Sequence, residues 1–174
     1  MFARLAKGLN PCAGAFALRT FKDANPGELT QSALDMQTGL YLDGDCGKLR
    51  GKGAAQIKLN QSAPVTEVQV TVNDTKATFY VDRRSGYTLI GRAFADKLGI
   101  RATGPEILTY GVSSLKSARL AVLDSLRVQT AVAGRVQVAV VGGLPQGIHG
   151  VLGRSFFWRF AVRATFDSIT LAPR

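Results

Sequence analysis

The feature that most constrains the fold is a series of short alternating segments that begins near Pro64. Residues 68–72 (VQVTV) place valine at every second position, which is the period of a strand with one buried face. Asn73-Asp74 supplies a turn, and residues 77–82 (ATFYVD) have the composition of a partner strand. We therefore predict a folded domain over residues 64–174 that opens with a β-hairpin.

Further strand segments, separated by turn signals, fill the rest of this region. A short apolar run at residues 87–90 precedes an amphipathic helix over residues 91–98, which Gly99 would end. Three more hairpins are predicted: residues 107–112 with 115–122 across Ser113-Ser114, residues 126–130 with 135–141 across Ala133-Gly134, and residues 161–166 with 169–171 across Asp167-Ser168. A second helix-like run covers residues 155–160. Many short strands with one or two short helices indicate a mostly β, barrel-like fold.

Residues 1–63 show no persistent period and are predicted to be an N-terminal extension. The first 22 residues contain four basic residues and no Asp or Glu. This composition loosely resembles a transit peptide, which favours the mitochondrion or another organelle. The alternative is a segment that wraps around a partner and becomes ordered when it binds.

The charge balance of the chain favours acidic partners. The sequence has 22 Lys and Arg against 12 Asp and Glu, a formal net charge of +10, which attracts nucleic acid, anionic lipid or acidic protein surfaces. The sequence contains no run of five basic residues, so the charge by itself indicates only a basic surface. Cys12 and Cys46 form no CxxC or Cys/His pattern, so we predict neither a metal site nor a cofactor. No apolar run is long enough for a transmembrane helix.

Asp82 lies in a segment that resembles the catalytic motif of the retropepsin-like aspartic proteases. Residues 81–90 read VDRRSGYTLI, and the family pattern is similar to V-D-T-G-A-S-Y-T-L-I, so Asp82 falls on the catalytic aspartate. A second segment, residues 150–157 (GVLGRSFF), resembles the family's apolar-apolar-Gly-Arg-Asn/Asp motif. The residues that fall on this structural motif are Gly153, Arg154 and Ser155. The resemblance covers residues 64–174 and implies the closed β-barrel of the acid protease fold.

The same resemblance implies the remaining parts of the family's site. The hairpin between the two motifs takes the place of the family's flap. Its tip would be formed by Tyr110, Gly111, Val112, Ser113 and Ser114. The loop before Val151 would pack near the active-site turn. The family enzyme is a twofold dimer, because a chain of this length supplies one catalytic aspartate.

The sequence departs from the family pattern directly after the aspartate, where Arg83 and Arg84 stand in place of Thr-Gly. Arg83 cannot reproduce the short hydrogen bond by which the family's threonine locks two turns together. Arg84 adds a side chain where glycine allows the backbones to approach closely. A dimer would also bring four guanidinium groups near two Asp82 carboxylates, which opposes the single shared proton that catalysis requires. Asp124-Ser125 and Asp167-Ser168 lack the glycine and are predicted to be ordinary hairpin turns.

Three functions follow from these observations. The first is a non-catalytic, pseudo-aspartic protease domain that acts as a structural or protein-interaction subunit of a larger assembly. The second is an active homodimeric aspartic endopeptidase that uses Asp82. The third is a basic RNA-associated protein, which rests on charge alone. His149 lies in a Gly-rich loop and is predicted to be an ordinary loop residue, because no nucleophile and orienting group accompany it.

Overall fold

A computed structural model describes residues 49–104, 106–110 and 115–174, together with residues 18, 21, 25, 27 and 30. For Tyr110, Leu115 and Lys116 only the backbone is described. The chain divides into two compact units, Met1–Leu49 and Arg50–Arg174. Apart from Leu18 and Phe21, the predicted leader-like segment lies outside the described residues, as do Cys12 and Cys46. The role of the extension therefore stays a prediction.

Short strands dominate the described part of the second unit. The strands are β1 (Ala55–Lys58), β2 (Thr66–Val72), β3 (Thr75–Val81), β4 (Thr88–Gly91), β5 (Glu106–Tyr110), β6 (Leu115–Val128), β7 (Ala131–Val141), β8 (Gly150–Leu152), β9 (Ala161–Ala164) and β10 (Ser168–Ala172). The helices are α1 (Arg92–Lys97) and α2 (Arg154–Phe157). No helix among the described residues is long and apolar enough to cross a membrane.

Six strands close into a barrel. Their order is β2-β3-β8-β4-β7-β6, and β6 returns to β2 through the antiparallel pairs Thr71↔Arg127 and Val72↔Leu126. The β3–β8 and β4–β7 pairings are parallel, whereas β5 extends the sheet as an antiparallel hairpin with β6. A separate three-stranded sheet has the order β1-β10-β9. This architecture confirms the predicted mostly β, closed-barrel fold with short helices.

The core lies inside the barrel because alternate side chains of each strand point inward. In β3, Ala77 and Phe79 are buried, and in β2, Val70 and Val72 are buried. Helix α2 contributes Phe156, whose ring lies 5.1 Å from that of Phe160. Each buried valine or phenylalanine among them contributes roughly 1.5–3 kcal/mol to the stability of the fold.

The hairpin predicted from residues 126–130 and 135–141 has its turn in a different place. Ala133-Gly134 lies inside the β6–β7 ladder, opposite Leu126 and Ser125, and the turn is formed by Gln129-Thr130. Asp124-Ser125, predicted to be a hairpin turn, lies within β6. The prediction of a turn at these two residues is therefore wrong. A long-range contact favours the turn at Gln129-Thr130. The Gln129 side chain bonds the backbone N–H and C=O of Gln56 at 3.0 and 2.8 Å, which holds the turn against β1.

Strand β1 was not predicted from the sequence, and it extends the folded unit toward the N-terminus. It pairs with β10 in antiparallel register from Ala55↔Leu171 to Lys58↔Ser168. The boundary expected at residue 64 therefore falls inside the unit Arg50–Arg174, between β1 and β2.

Candidate functional site

Asp82 is the first residue after β3. Its backbone N–H donates to the Leu152 carbonyl at 3.1 Å, which continues the parallel β3–β8 ladder by one bond. The ladder therefore brings the two motifs found in the sequence together, because β8 leads directly into Gly153. Asp82 occupies the end of a barrel strand, where its side chain can leave the sheet while its backbone stays fixed.

Residues 82–85, here named the Asp82 turn, form a tight turn closed by local hydrogen bonds. The Ser85 N–H donates to the Asp82 carbonyl at 3.2 Å, and the Arg84 N–H donates to Asp82 Oδ1 at 2.9 Å. Asparagine and aspartate favour such turns because their side chains accept a bond from the backbone two residues on. The turn therefore forms without the Thr-Gly that the family pattern has.

The charged side chains of the Asp82 turn face solvent. The Asp82 side chain is 47% exposed and the Arg84 side chain is 94% exposed, and Arg84 Nε lies 3.9 Å from Asp82 Oδ1. Arg83 is exposed as well. The unit thus presents one carboxylate flanked by two guanidinium groups, and solvent screening keeps their mutual attraction weak.

The second motif, residues 150–157, holds the Asp82 turn in place through hydrogen bonds and close packing. The Arg154 N–H donates to the Ser85 carbonyl at 2.9 Å, and Arg154 Nε donates to the Arg83 carbonyl at 2.9 Å. Gly153 packs so closely on the residue that precedes β4 that an added Cβ would lie 2.2 Å from the Tyr87 carbonyl oxygen. The structure therefore brings Asp82, Gly153 and Arg154 together.

Ser155 anchors the same motif to two barrel strands. Its buried hydroxyl accepts a hydrogen bond from the Thr88 N–H at 2.8 Å and donates one to the Gln137 carbonyl at 2.7 Å. Thr88 Oγ1 in turn accepts from the Gly153 N–H at 3.1 Å. The sequence placed Ser155 in the motif, but the roles of Thr88 and Gln137 were missed, because a backbone carbonyl of a distant strand leaves no signal in the sequence.

Tyr87 lies between the Asp82 turn and β4. Burial raises the pKa of its phenol to about 12, because the ionised form loses hydration inside the protein. Its carbonyl accepts a hydrogen bond from the Ser85 hydroxyl at 2.7 Å. Tyr87 is therefore an un-ionised packing residue at neutral pH, and the charge of this region comes from its Asp and Arg side chains.

The predicted flap is described only at its base. Strands β5 and β6 form an antiparallel ladder that ends at the pair Tyr110↔Leu115. Of the predicted tip residues, the backbone of Tyr110 lies at the end of β5, and the others lie outside the described residues. Those others are Gly111, Val112, Ser113 and Ser114.

Asp82 is the only carboxylate in the Asp82 turn, and neither of the two Asp-Ser pairs of the sequence belongs to that turn. Asp124 is in the middle of β6. Asp167 lies in the β9–β10 turn, where a hydrogen bond from the Thr165 hydroxyl, followed by one from Ser168, holds the pKa of its carboxyl below the ordinary value. No group of three His, Cys, Asp or Glu side chains among these residues could hold a metal ion. One copy of the chain therefore brings a single carboxylate to the Asp82 turn.

Comparison with known proteins gives the family from a family model and the fold from a solved structure. The model of the aspartyl protease family matches residues 68–156, which is half of the chain. Among solved structures, a retropepsin-like aspartic protease from Rickettsia conorii is similar, with 23% identity, a TM-score of 0.54, and coverage of 71% of this chain and 96% of that chain. No curated protein matches the sequence. The predicted retropepsin-like fold is confirmed, and the chain belongs to the aspartyl protease family.

Proposed function

We propose that this protein is a non-catalytic member of the aspartyl protease family, and that it serves as a protein-interaction subunit which binds an acidic partner through the Asp82 turn. The observation that carries the proposal is the pair of exposed arginines directly after Asp82, with Arg84 94% exposed. They occupy the two positions where the family pattern has a small polar residue and a glycine.

Catalysis by this family's chemistry requires two carboxylates about 3 Å apart that share one proton. A second copy would have to bring its own Asp82 to this distance, together with its own Arg83 and Arg84. Two like charges about 4 Å apart repel by about 4 kcal/mol at an effective dielectric constant of about 20. Four guanidinium groups around a desolvated dyad therefore oppose both its assembly and the protonation that it needs.

The same geometry suits recognition of a carboxylate. The backbone of the Asp82 turn is fixed by the two bonds from Arg154, so the arginine side chains project from a rigid base. A planar guanidinium donates two parallel hydrogen bonds to a carboxylate. A preorganised base also lowers the entropy lost on binding. An acidic segment of another subunit is the partner that this turn fits.

A second candidate function is an active homodimeric aspartic endopeptidase that uses Asp82. One observation favours it: the Arg84 N–H still donates to Asp82 Oδ1 at 2.9 Å, so the turn itself is formed. If both arginine side chains of each copy extended into solvent, the carboxylates of two copies could approach.

Peptide cleavage separates the two functions. The full chain is incubated at acidic pH with a mixture of unfolded proteins, and new N-termini are counted by mass spectrometry. We expect the wild-type chain to cleave no more than Asp82→Asn. Cleavage by the wild-type chain that Asp82→Asn abolishes would establish the endopeptidase and end the non-catalytic proposal.

Assembly in the native cell tests the interaction itself. A tagged chain is isolated under mild conditions, and the mass of its particle is compared for the wild type, Asp82→Asn and the double variant Arg83→Ser/Arg84→Ser. We expect the first two to remain in one particle with unlike subunits and the double variant to be released from it. A particle that is unchanged by the arginine substitutions, or that contains only this chain, would contradict the proposal.

A further inference from the structure

Helix α1 separates two cavities on the surface of the second unit. One has a volume of about 480 Å³ and lies between α1 and residues 141–149. The other has a volume of about 430 Å³ and lies between α1, residues 100–102 and the base of the β5–β6 hairpin. Arg92 and Asp96, one turn apart on α1, line both cavities. A single extended ligand that crosses these two side chains can therefore occupy both.

The first cavity has an apolar wall that is already formed. Phe94, Leu144 and Ile148 line it, and the ring of Phe94 meets the ring of His149 edge-on at 4.7 Å. His149 Nδ1 accepts a hydrogen bond from the Thr78 N–H at 3.2 Å, and the His149 N–H donates to the Thr78 carbonyl at 2.9 Å. These bonds fix the end of the loop, so the cavity offers a preformed place for an apolar side chain.

Three arginine residues line the second cavity. Arg92, Arg101 and Arg119 are exposed and line it, and none of the three makes an ion pair or side-chain hydrogen bond with another residue in the described part of the chain. Two carboxylates line it as well, and that of Glu106 accepts a hydrogen bond from the Ser117 hydroxyl. The cavity therefore has an excess of positive charge and donors that are free to bind a carboxylate.

We propose that the two cavities form one groove, here named the α1 groove, which binds an extended acidic peptide segment of a partner protein. An apolar side chain of the segment fills the cavity lined by Phe94, and a carboxylate a few residues away binds Arg101 and Arg119. The carboxylates of Asp96 and Glu106 repel the unbroken row of phosphates of a nucleic acid. The same carboxylates can accept hydrogen bonds from peptide N–H groups, so the mixed charge favours a peptide.

The α1 groove is distinct from the surface in the proposed function. None of its lining residues belongs to the Asp82 turn, and the inference holds whether or not Asp82 is catalytic. It adds a second point of attachment, and two linked attachments strengthen one another through effective concentration.

Selection of peptides on the full chain tests this inference. A phage-displayed library of random linear peptides is selected on the immobilised protein, and enriched peptides are synthesised with a fluorescent label for anisotropy measurements. We expect enriched sequences to combine an apolar residue with nearby Asp or Glu. Replacing these acidic residues by Gln or Asn should weaken binding to the wild-type chain about tenfold, which corresponds to the loss of a charged hydrogen-bonded contact.

Charge reversals locate the binding surface. Arg101→Glu/Arg119→Glu should weaken binding at least about tenfold, whereas the matched control Arg127→Glu/Arg163→Glu, which changes two exposed arginines outside the groove, should change it much less. Circular dichroism checks that both variants are folded. Arg83→Ser/Arg84→Ser distinguishes peptides that bind the Asp82 turn from peptides that bind the α1 groove, because only the former should lose affinity.

Several results would overturn the α1 groove. They are a lack of enriched peptides, enriched peptides without acidic residues, and an equal loss in the control variant. Displacement of the peptides by oligothymidylate with the same dependence on Arg101 and Arg119 would assign the groove to nucleic acid instead. Binding that is lost in Arg83→Ser/Arg84→Ser but kept in Arg101→Glu/Arg119→Glu would assign the peptides to the Asp82 turn, which separates the failure of this inference from that of the proposed function.

Discussion

Gly153 connects the barrel to the Asp82 turn at a point where no side chain fits. An added Cβ would lie 2.2 Å from the Tyr87 carbonyl oxygen and 3.0 Å from the Thr88 nitrogen. Both are backbone atoms, which cannot rotate away as a flexible side chain can. A larger residue would therefore push β8 and β4 apart and move the turn that rests on them.

We expect Gly153→Ala to lower the free energy of unfolding by about 1–3 kcal/mol, the usual cost of overpacking. Gly142→Ala is the matched control, because an added Cβ there meets nothing within 4 Å, and it should change the free energy by less than about 0.5 kcal/mol. Urea unfolding followed by tryptophan fluorescence measures both variants. Equal stability of the two would mean that the close contact at Gly153 relaxes at no cost.

Individual residues of the site differ in how far the sequence could predict them. The position of Asp82 at a strand end and the neighbouring Gly153 could be predicted, because both belong to motifs that are continuous in the sequence. The bond from Ser155 to the Gln137 carbonyl could not be predicted, since it depends on which strand lies beside α2 in the folded barrel. The exposure of Arg84 likewise follows from how the turn projects from the barrel.

At the scale of the elements, the β2–β3 turn and the β6–β7 turn show what local sequence can determine. Asn73 and Asp74 have φ angles of 43° and 69°, the left-handed region that a two-residue hairpin of type I′ requires. Both residue types tolerate this region, so the turn was predicted correctly. Gln129 has a φ of 51° without such a preference, and its side-chain bonds to Gln56 supply the reason, which the local sequence does not contain.

The first hairpin gives a prediction with opposite signs at one position. Asp74→Gly should raise the free energy of unfolding by up to about 1 kcal/mol, and Asp74→Ala should lower it by about 1 kcal/mol, because the left-handed conformation costs an ordinary residue about 1–2 kcal/mol and costs glycine little. Urea unfolding of both variants measures the difference. If alanine proved as stable as glycine at this position, the turn would have a different conformation in solution.

At the scale of the whole molecule, the folded unit depends on a strand that lies far from its partner in sequence. Ile57 of β1 and Ile169 of β10 are directly paired, and both side chains are buried. Local periodicity could not predict β1, because four residues are too few to show a period and the partner strand follows more than a hundred residues later.

We therefore expect a protein that begins at residue 64 to be less stable than one that begins at residue 50. Loss of β1 removes the buried Ile57 and uncovers Ile169 and Leu171, and each such side chain contributes about 1.5–3 kcal/mol when buried. The free energy of unfolding should fall by at least about 2 kcal/mol. Urea unfolding of the two shortened proteins makes the comparison, and coincident curves would show that β1 contributes nothing to the unit.

The position of β8 between β3 and β4 has a consequence for how the protein is made. Synthesis runs from the N-terminus, so β3 and β4 leave the ribosome long before residues 150–152 do. Until β8 enters the gap, these two strands carry unpaired backbone groups along facing edges, and such edges attract other chains. The Asp82 turn joins the same two strands, and the hydrogen bonds that link it to Leu152 and Arg154 can form only after those residues have left the ribosome.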